Sequence, residues 1–206
     1  MKPIRIVTPP LAANVYLIID ERISLIDAGG DSAFLIKALQ RYINPKDLEY
    51  IFLTHSHFDH AMAIPDLKKF GCKVVMHSLE FDILKRGLTT LGYIYYFEPD
   101  VVVRGNENFE LGEVELRVIH TPGHTAGSVC YYEEDKKWLF SGDTVFKYGF
   151  GRYDLPSGNP YELLKSLEYL SSLDVENLYP GHEDIVEGRA REYILKNLEV
   201  LKSLVF

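Results

Sequence analysis

The sequence predicts an α+β sandwich with helices on the outside, folded as a single domain over residues 1–206. Three observations point there. The chain reads as two halves, each beginning with strands and ending with helices. No repeat, low-complexity run or linker interrupts its 206 residues, a length that suits one core. The composition is globular, with 47% hydrophobic and 25% charged residues.

The first half opens with three expected strands, 4–8, 14–20 and 23–27, the last two joined by a turn at Asp20-Glu21. Asp27-Ala28-Gly29-Gly30 breaks the pattern, and Asp31 or Ser32 can cap a helix running to about Tyr42. Its apolar face is Leu35, Leu39 and Tyr42, and Pro45 stops it. A strand at 50–53, a helix at 61–70, a strand at 73–76 and a helix at 78–86 follow. Residues 88–99 have no clear period. The aromatic stretch from Leu91 to Phe97 reads as a loop packed on the core, with a substrate-facing rim or a subunit contact as the sharper readings.

The second half is rich in strands, at 100–104, 108–111, 114–119, 128–133 and 137–141. Asn159, Pro160 and Glu162 form a helix start: a cap, a first-turn proline and an acid where a capping box needs one. A strand at 176–179 and a last helix from about Glu187 complete the chain, with Ile194, Leu198, Leu201 and Val205 on one face of that helix.

Net charge is −8, which argues against a nucleic-acid partner or an anionic membrane surface, since both need a clustered positive field. No stretch approaches the roughly 18 apolar residues of a membrane span. Met1-Lys2-Pro3-Ile4-Arg5 has no apolar leader core, so the expected location is the cytoplasm. Cys72 and Cys130 both lie in apolar strand-like contexts and read as buried thiols.

The chemistry gathers at Thr54-His55-Ser56-His57-Phe58-Asp59-His60, directly after an apolar strand. This cluster holds three of the seven histidines. Imidazole with carboxylate suits Zn²⁺ or Fe²⁺. Three single residues repeat one local design. His124, Asp143 and His182 each follow a strand and a glycine, which permits a tight turn. If those strands share one sheet edge, all the ligands converge there. His120, His77 and Asp27 lack that design and read as supporting residues.

These motifs resemble the metallo-β-lactamase-fold superfamily, and within it the glyoxalase II-like branch of hydroxyacylglutathione hydrolases. The resemblance rests on Thr54–His60, Thr121–Ser128, Leu139–Phe146, Gly149–Arg152 and Tyr179–His182, in the family's order. It implies a four-layer αββα sandwich with a dinuclear site at one edge. By position, His55, His57 and His124 hold one metal. Asp59, His60 and His182 hold the other, and Asp143 bridges them. The expected cofactors are two divalent ions, Zn²⁺ first, with Fe²⁺ or Mn²⁺ as alternatives. Seven ligands leave room for a bridging hydroxide between ions about 3.5–4 Å apart. Asp59 and Asp143 are then the catalytic carboxylates.

The reaction so implied is hydrolysis of a small thioester by that hydroxide. A mononuclear iron persulfide dioxygenase, using His55, His124 and Asp143, is the alternative, and lactone hydrolysis the third reading. Asp143 stands where true β-lactamases of this fold carry Cys or Ser, which speaks against lactams. Arg152 stands where the family has a basic residue touching glutathione, and is the candidate substrate contact. Only one helix is expected after His182, where glyoxalase II has a helical domain, so the thiol is left open. Oligomeric state is left open as well.

Overall fold

The computed structural model describes residues 2–88, 93 and 95–206. A first sheet of six strands runs in sequence order: β1 (Ile4–Thr8), β2 (Ala13–Ile18), β3 (Ser24–Ile26), β4 (Tyr50–Phe52), β5 (Lys73–His77) and β6 (Val101–Val103). Its first three strands pair antiparallel and the rest parallel. The second sheet holds β7 (Asn108–Glu110), β8 (Glu115–His120), β9 (Val129–Glu133), β10 (Trp138–Gly142) and β11 (Asn177–Pro180), in the order β11-β10-β9-β8-β7. Its pairs are antiparallel except β10 with β11.

Three apolar clusters explain why these sheets stack with helices outside. Successive side chains on a strand face opposite ways. Leu17, Leu25, Ile51 and Val74 therefore point away from the second sheet. There they pack with Leu35 and Leu39 of α1 (Ser32–Leu39), Ile64 and Leu67 of α3 (Ile64–Leu67), preceded by α2 (Phe58–Ala61), and Leu84 of α4 (Ser78–Lys85). Their neighbours Tyr16, Ile18, Ile26, Phe52 and Val75 face the other way, onto Leu116, Val118, Tyr131 and Phe140. Ile119, Cys130 and Leu139 of the second sheet meet Leu163, Leu167 and Leu170 of α5 (Pro160–Ser172) and Ile194, Leu198 and Leu201 of α6 (Ala190–Val205). The layers are helix, sheet, sheet, helix. This is the αββα sandwich that the sequence leads one to expect.

The element ends differ from the sequence reading where local bonding decides. The helix expected at 61–70 begins earlier, as α2, and breaks into α3 and a 3₁₀ turn at Lys68–Phe70. Asp59 and His60 thus sit in a helical turn rather than a loop, with the His60 and Ala61 amides bonded to the His57 carbonyl. Asn159 caps α5 as expected, accepting from the Tyr161 and Glu162 amides. In the aromatic stretch, Leu91, Gly92 and Ile94 lie outside the described residues. Phe97 is buried in the first cluster and Tyr95 packs on it. Tyr93 instead stacks on Phe58, with ring centroids 4.2 Å apart. Both cysteines are buried, and burial pushes each thiol up to about 11.

Candidate metal centre

Strands β3, β4, β8, β10 and β11 all end at one edge of the sandwich. The edge is stitched across the sheets by the Val129 amide to the Thr54 carbonyl and the Asn14 amide to the Gly181 carbonyl. The seven candidate ligands meet there. Donor atoms of His55, His57 and His124 lie within 4.8 Å of one another, as do those of Asp59, His60 and His182. His57 Nδ1 is 2.9 Å from His124 Nε2, and His182 Nε2 is 3.2 Å from Asp59 Oδ2. Asp143 lies between the two trios. Its Oδ1 is 3.4 Å from His60 Nε2, and its Oδ2 is 3.7 Å from His124 Nε2 and 3.5 Å from His182 Nε2.

The glycines before the single ligands act in two ways. Gly142 has φ of 48°, so Asp143 leaves β10 through a left-handed turn. Gly181 has no such φ; there the reason is room, because a Cβ would collide with Asp143 Oδ1.

Outer hydrogen bonds set which ring nitrogens face inward. Thr54 Oγ1 donates its single proton to Asp27 Oδ2, at 2.8 Å. It can therefore only accept from His55 Nδ1, 3.0 Å away, which leaves the His55 Nε2 lone pair free. Asp27 Oδ2 also accepts from His60 Nδ1 at 2.9 Å, and the Arg152 carbonyl accepts from His124 Nδ1 at 2.7 Å. Three histidines are thus oriented with one ring nitrogen turned inward, the arrangement a metal site needs. Two inner atoms, His55 Nε2 and Asp143 Oδ1, are buried without a hydrogen-bond partner. Uncompensated buried polar atoms are costly, and a cation between the trios satisfies both.

The electrostatics agree. Burial, reinforced by His124, pushes His57 down to about 3, and burial pushes His124 down to about 4, so both candidate ligands are neutral at pH 7. At His60, burial is outweighed by Asp143, Asp59 and Asp27, which raise it to about 10. The surroundings of His60 favour positive charge. Burial opposes ionisation of Asp59, but His60 and the hydrogen bond from His182 hold its carboxyl below the usual range.

The sequence reading missed Glu80. It is fully buried on α4 and accepts from the Ser56 amide (2.8 Å), the Ser56 hydroxyl (2.6 Å) and the Thr125 hydroxyl (2.6 Å). Ser56 sits between His55 and His57, and Thr125 follows His124. One carboxylate therefore ties together the two segments that carry a trio. Its only trace in the sequence is an acid on an otherwise ordinary amphipathic helix. His120 and His77 stand apart as supports. They stack at 4.2 Å, His120 bonds the Ala126 carbonyl and His77 caps α4. Arg152 reaches the site edge, but its guanidinium is exposed and paired to both carboxylate oxygens of Asp154, at 2.9 and 2.8 Å.

A pocket of about 280 Å³ opens over the cluster. Its floor is His57, Asp59, His124, Asp143 and His182, and its wall includes Leu11, Phe58, Phe146, Phe150 and Leu155.

Residues 8–182 match the model of the metallo-β-lactamase superfamily. The chain belongs to that superfamily. It is 35% identical over 194 residues to a probable metallo-hydrolase of Methanocaldococcus jannaschii, covering 88% of this chain and 93% of that protein. It is 39% identical over 138 residues to the hydroxyacylglutathione hydrolase of Brucella ovis, covering 66% of this chain and 48% of that enzyme. The chain thus aligns with about half of that hydrolase. Among solved structures, a B3 metallo-β-lactamase, BLEG-1, superposes with TM-score 0.84 and 29% identity, covering 97% of this chain and 99% of that one. A di-iron-bound protein, TTHA1623, superposes with TM-score 0.74 and 29% identity, covering 96% of this chain and 98% of that one. As a superfamily member with this His/Asp cluster, the chain binds divalent metal. No helix among the described residues is long and apolar enough to cross a membrane.

Proposed function

We propose that this metallo-hydrolase is a dinuclear thioesterase of glyoxalase II type. The observation that carries the reading is Asp143, whose two oxygens reach toward both ligand trios. In this reading His55, His57 and His124 hold one ion and Asp59, His60 and His182 the other. The two ions, when bound, activate a water and polarise the substrate carbonyl. Zn²⁺ is the first candidate, and the di-iron form of a structural neighbour makes Fe²⁺ a real competitor.

The protein's own groups then have distinct tasks. Asp143 is shared between the trios. Asp59, kept ionised, accepts a hydrogen bond from the attacking water and orients it. The wall supports a thioester. Leu11, Phe58, Phe146, Phe150 and Leu155 supply no acid, so a departing amine would depend on the floor's Asp59, Asp143 or His182 for its proton. A thiol ionises near pH 8.5, so its thiolate leaves without that help. Because the Arg152 guanidinium is already paired to Asp154, it offers only a partly neutralised contact to a substrate carboxylate.

The test is elemental analysis of the purified protein beside hydrolysis of a hydroxyacylglutathione, with and without a chelator. About two ions per chain and chelator-sensitive thioester cleavage are expected. One iron per chain with oxygen consumption on a persulfide would overturn the reading. Faster turnover of a lactone or a β-lactam than of any thioester would keep the metals and reject the substrate class.

A further inference from the structure

Away from the metal centre, a depression of about 660 Å³ is lined by Arg104, Gly105, Asn106, Asn108, Arg117 and His120, with Tyr169 of α5 at its side. No carboxylate lines it. That is unusual for a chain with net charge −8. Most other surface cations sit in ion pairs, as Arg5 does with Asp184, Lys68 with Asp100 and Arg189 with Glu192. Among the described residues neither Arg104 nor Arg117 has such a partner.

Arg117 is the more telling of the two. Its guanidinium lies over the Tyr132 ring, 5.4 Å from the centroid, which fixes its plane. Its Nε is buried and has no hydrogen-bond acceptor. Glu115, Glu133, Glu134 and Asp135 line an adjoining small hollow that shares Arg117 and Asn108 with the depression, yet none of the four pairs with Arg117. Glu107, in the turn beside Arg104, is occupied. It accepts the backbone amides of Arg104, Gly105 and Asn106 at 2.8, 2.9 and 3.0 Å, which also pins the turn that carries Arg104. Arg104, Arg117, Asn106 and Asn108 therefore line one space, and among the described residues no ion pair or side-chain hydrogen bond takes up the donors of these four side chains.

We infer that this depression is a binding site for a small oxyanion, a phosphate or phosphate monoester. A planar guanidinium fork matches two oxygens of such a group, and side-chain amides can complete the shell. The overall negative charge of the protein disfavours a long polyanion at the same place. The site is separate from the ligand trios and does not depend on which substrate the metal centre takes.

The experiment is calorimetric titration of the metal-loaded protein with inorganic phosphate, and separately with phenyl phosphate, at constant ionic strength. Saturable binding of either at one per chain is expected. Arg117→Gln and Arg104→Gln should each weaken it on the order of tenfold or more, with metal content unchanged. Arg104 is exposed, so its variant decides the question even if the Arg117 variant fails to fold. Absence of saturable binding would overturn the inference. So would binding that survives both arginine changes, or that disappears only in Asp143→Ala, which would place the anion at the metal centre.

Discussion

Asp143 and His120 are the sharpest contrast at the level of single residues. His120 ends β8 and Asp143 follows β10, both in the second sheet, and only Asp143 faces the ligand trios. Asp143→Ala removes the one carboxylate that reaches both sides. Metal content measured by elemental analysis should fall from about two ions per chain to one or none, with activity lower on the order of a hundredfold or more. His120→Asn should keep full metal content and most activity, since His120 bonds only the Ala126 carbonyl and stacks on His77. Equal losses in the two variants would refute the assignment of Asp143. The same scale explains what a sequence can reveal. Ligand types are visible because imidazole and carboxylate are rare in tight clusters. Asp27 reads from the sequence as a turn or supporting carboxylate, and its part in orienting His60 and, through Thr54, His55 depends on contacts across 33 and 27 residues of chain.

Helix α4 shows how an element far from the ligand motifs serves them. Glu80 receives the Ser56 and Thr125 hydrogen bonds inside the protein, where burial raises its carboxyl above the ordinary range. Glu80→Ala strands those donors and should destabilise the fold by about 2–4 kcal/mol in chemical denaturation, with weaker metal binding. Glu80→Gln keeps an acceptor and the volume, and should recover most of both. A glutamine variant as damaged as the alanine would mean that the negative charge itself is needed. His77 begins the same helix, and its Nδ1 accepts the Leu79 amide. Burial, with His120 beside it, pushes His77 down to about 4. The unfolded chain binds a proton at about pH 6.5 and the folded one does not. Folding is therefore favoured above that pH, and the contribution is lost as pH falls from about 6.5 to 4. His77→Asn retains a cap without titrating. Its stability, followed by denaturant midpoint, should show a shallower acid decline than the parent; parallel curves would contradict the account.

For the molecule as a whole, the two sheets meet through an apolar interior but carry the candidate ligands on their shared rim. His55, His57, Asp59 and His60 come from the first sheet's side, and His124, Asp143 and His182 from the second's. A cation held by both should brace the sandwich. At metal concentrations about a thousandfold above the dissociation constant, linkage stabilises by roughly 4 kcal/mol. For a domain of this size that is on the order of 10 °C in Tm. Scanning calorimetry with and without a chelator should give a drop of that order; an unchanged Tm would mean that the rim does not bind metal tightly.

By itself the sequence determined the layer pattern and the chemical identity of the cluster, because both are local. Alternating apolar residues declare strand faces, and His, Asp and Gly at strand ends declare turns that carry ligands. The tertiary structure decided what depends on distant segments meeting. It brought five strand ends to one rim and set Asp143 between the trios. It used Glu80 to join two ligand segments and left Arg104 and Arg117 without an ion-pair partner among the described residues. Those outcomes follow from register and packing across the chain, for which no spacing within a motif carries a signal.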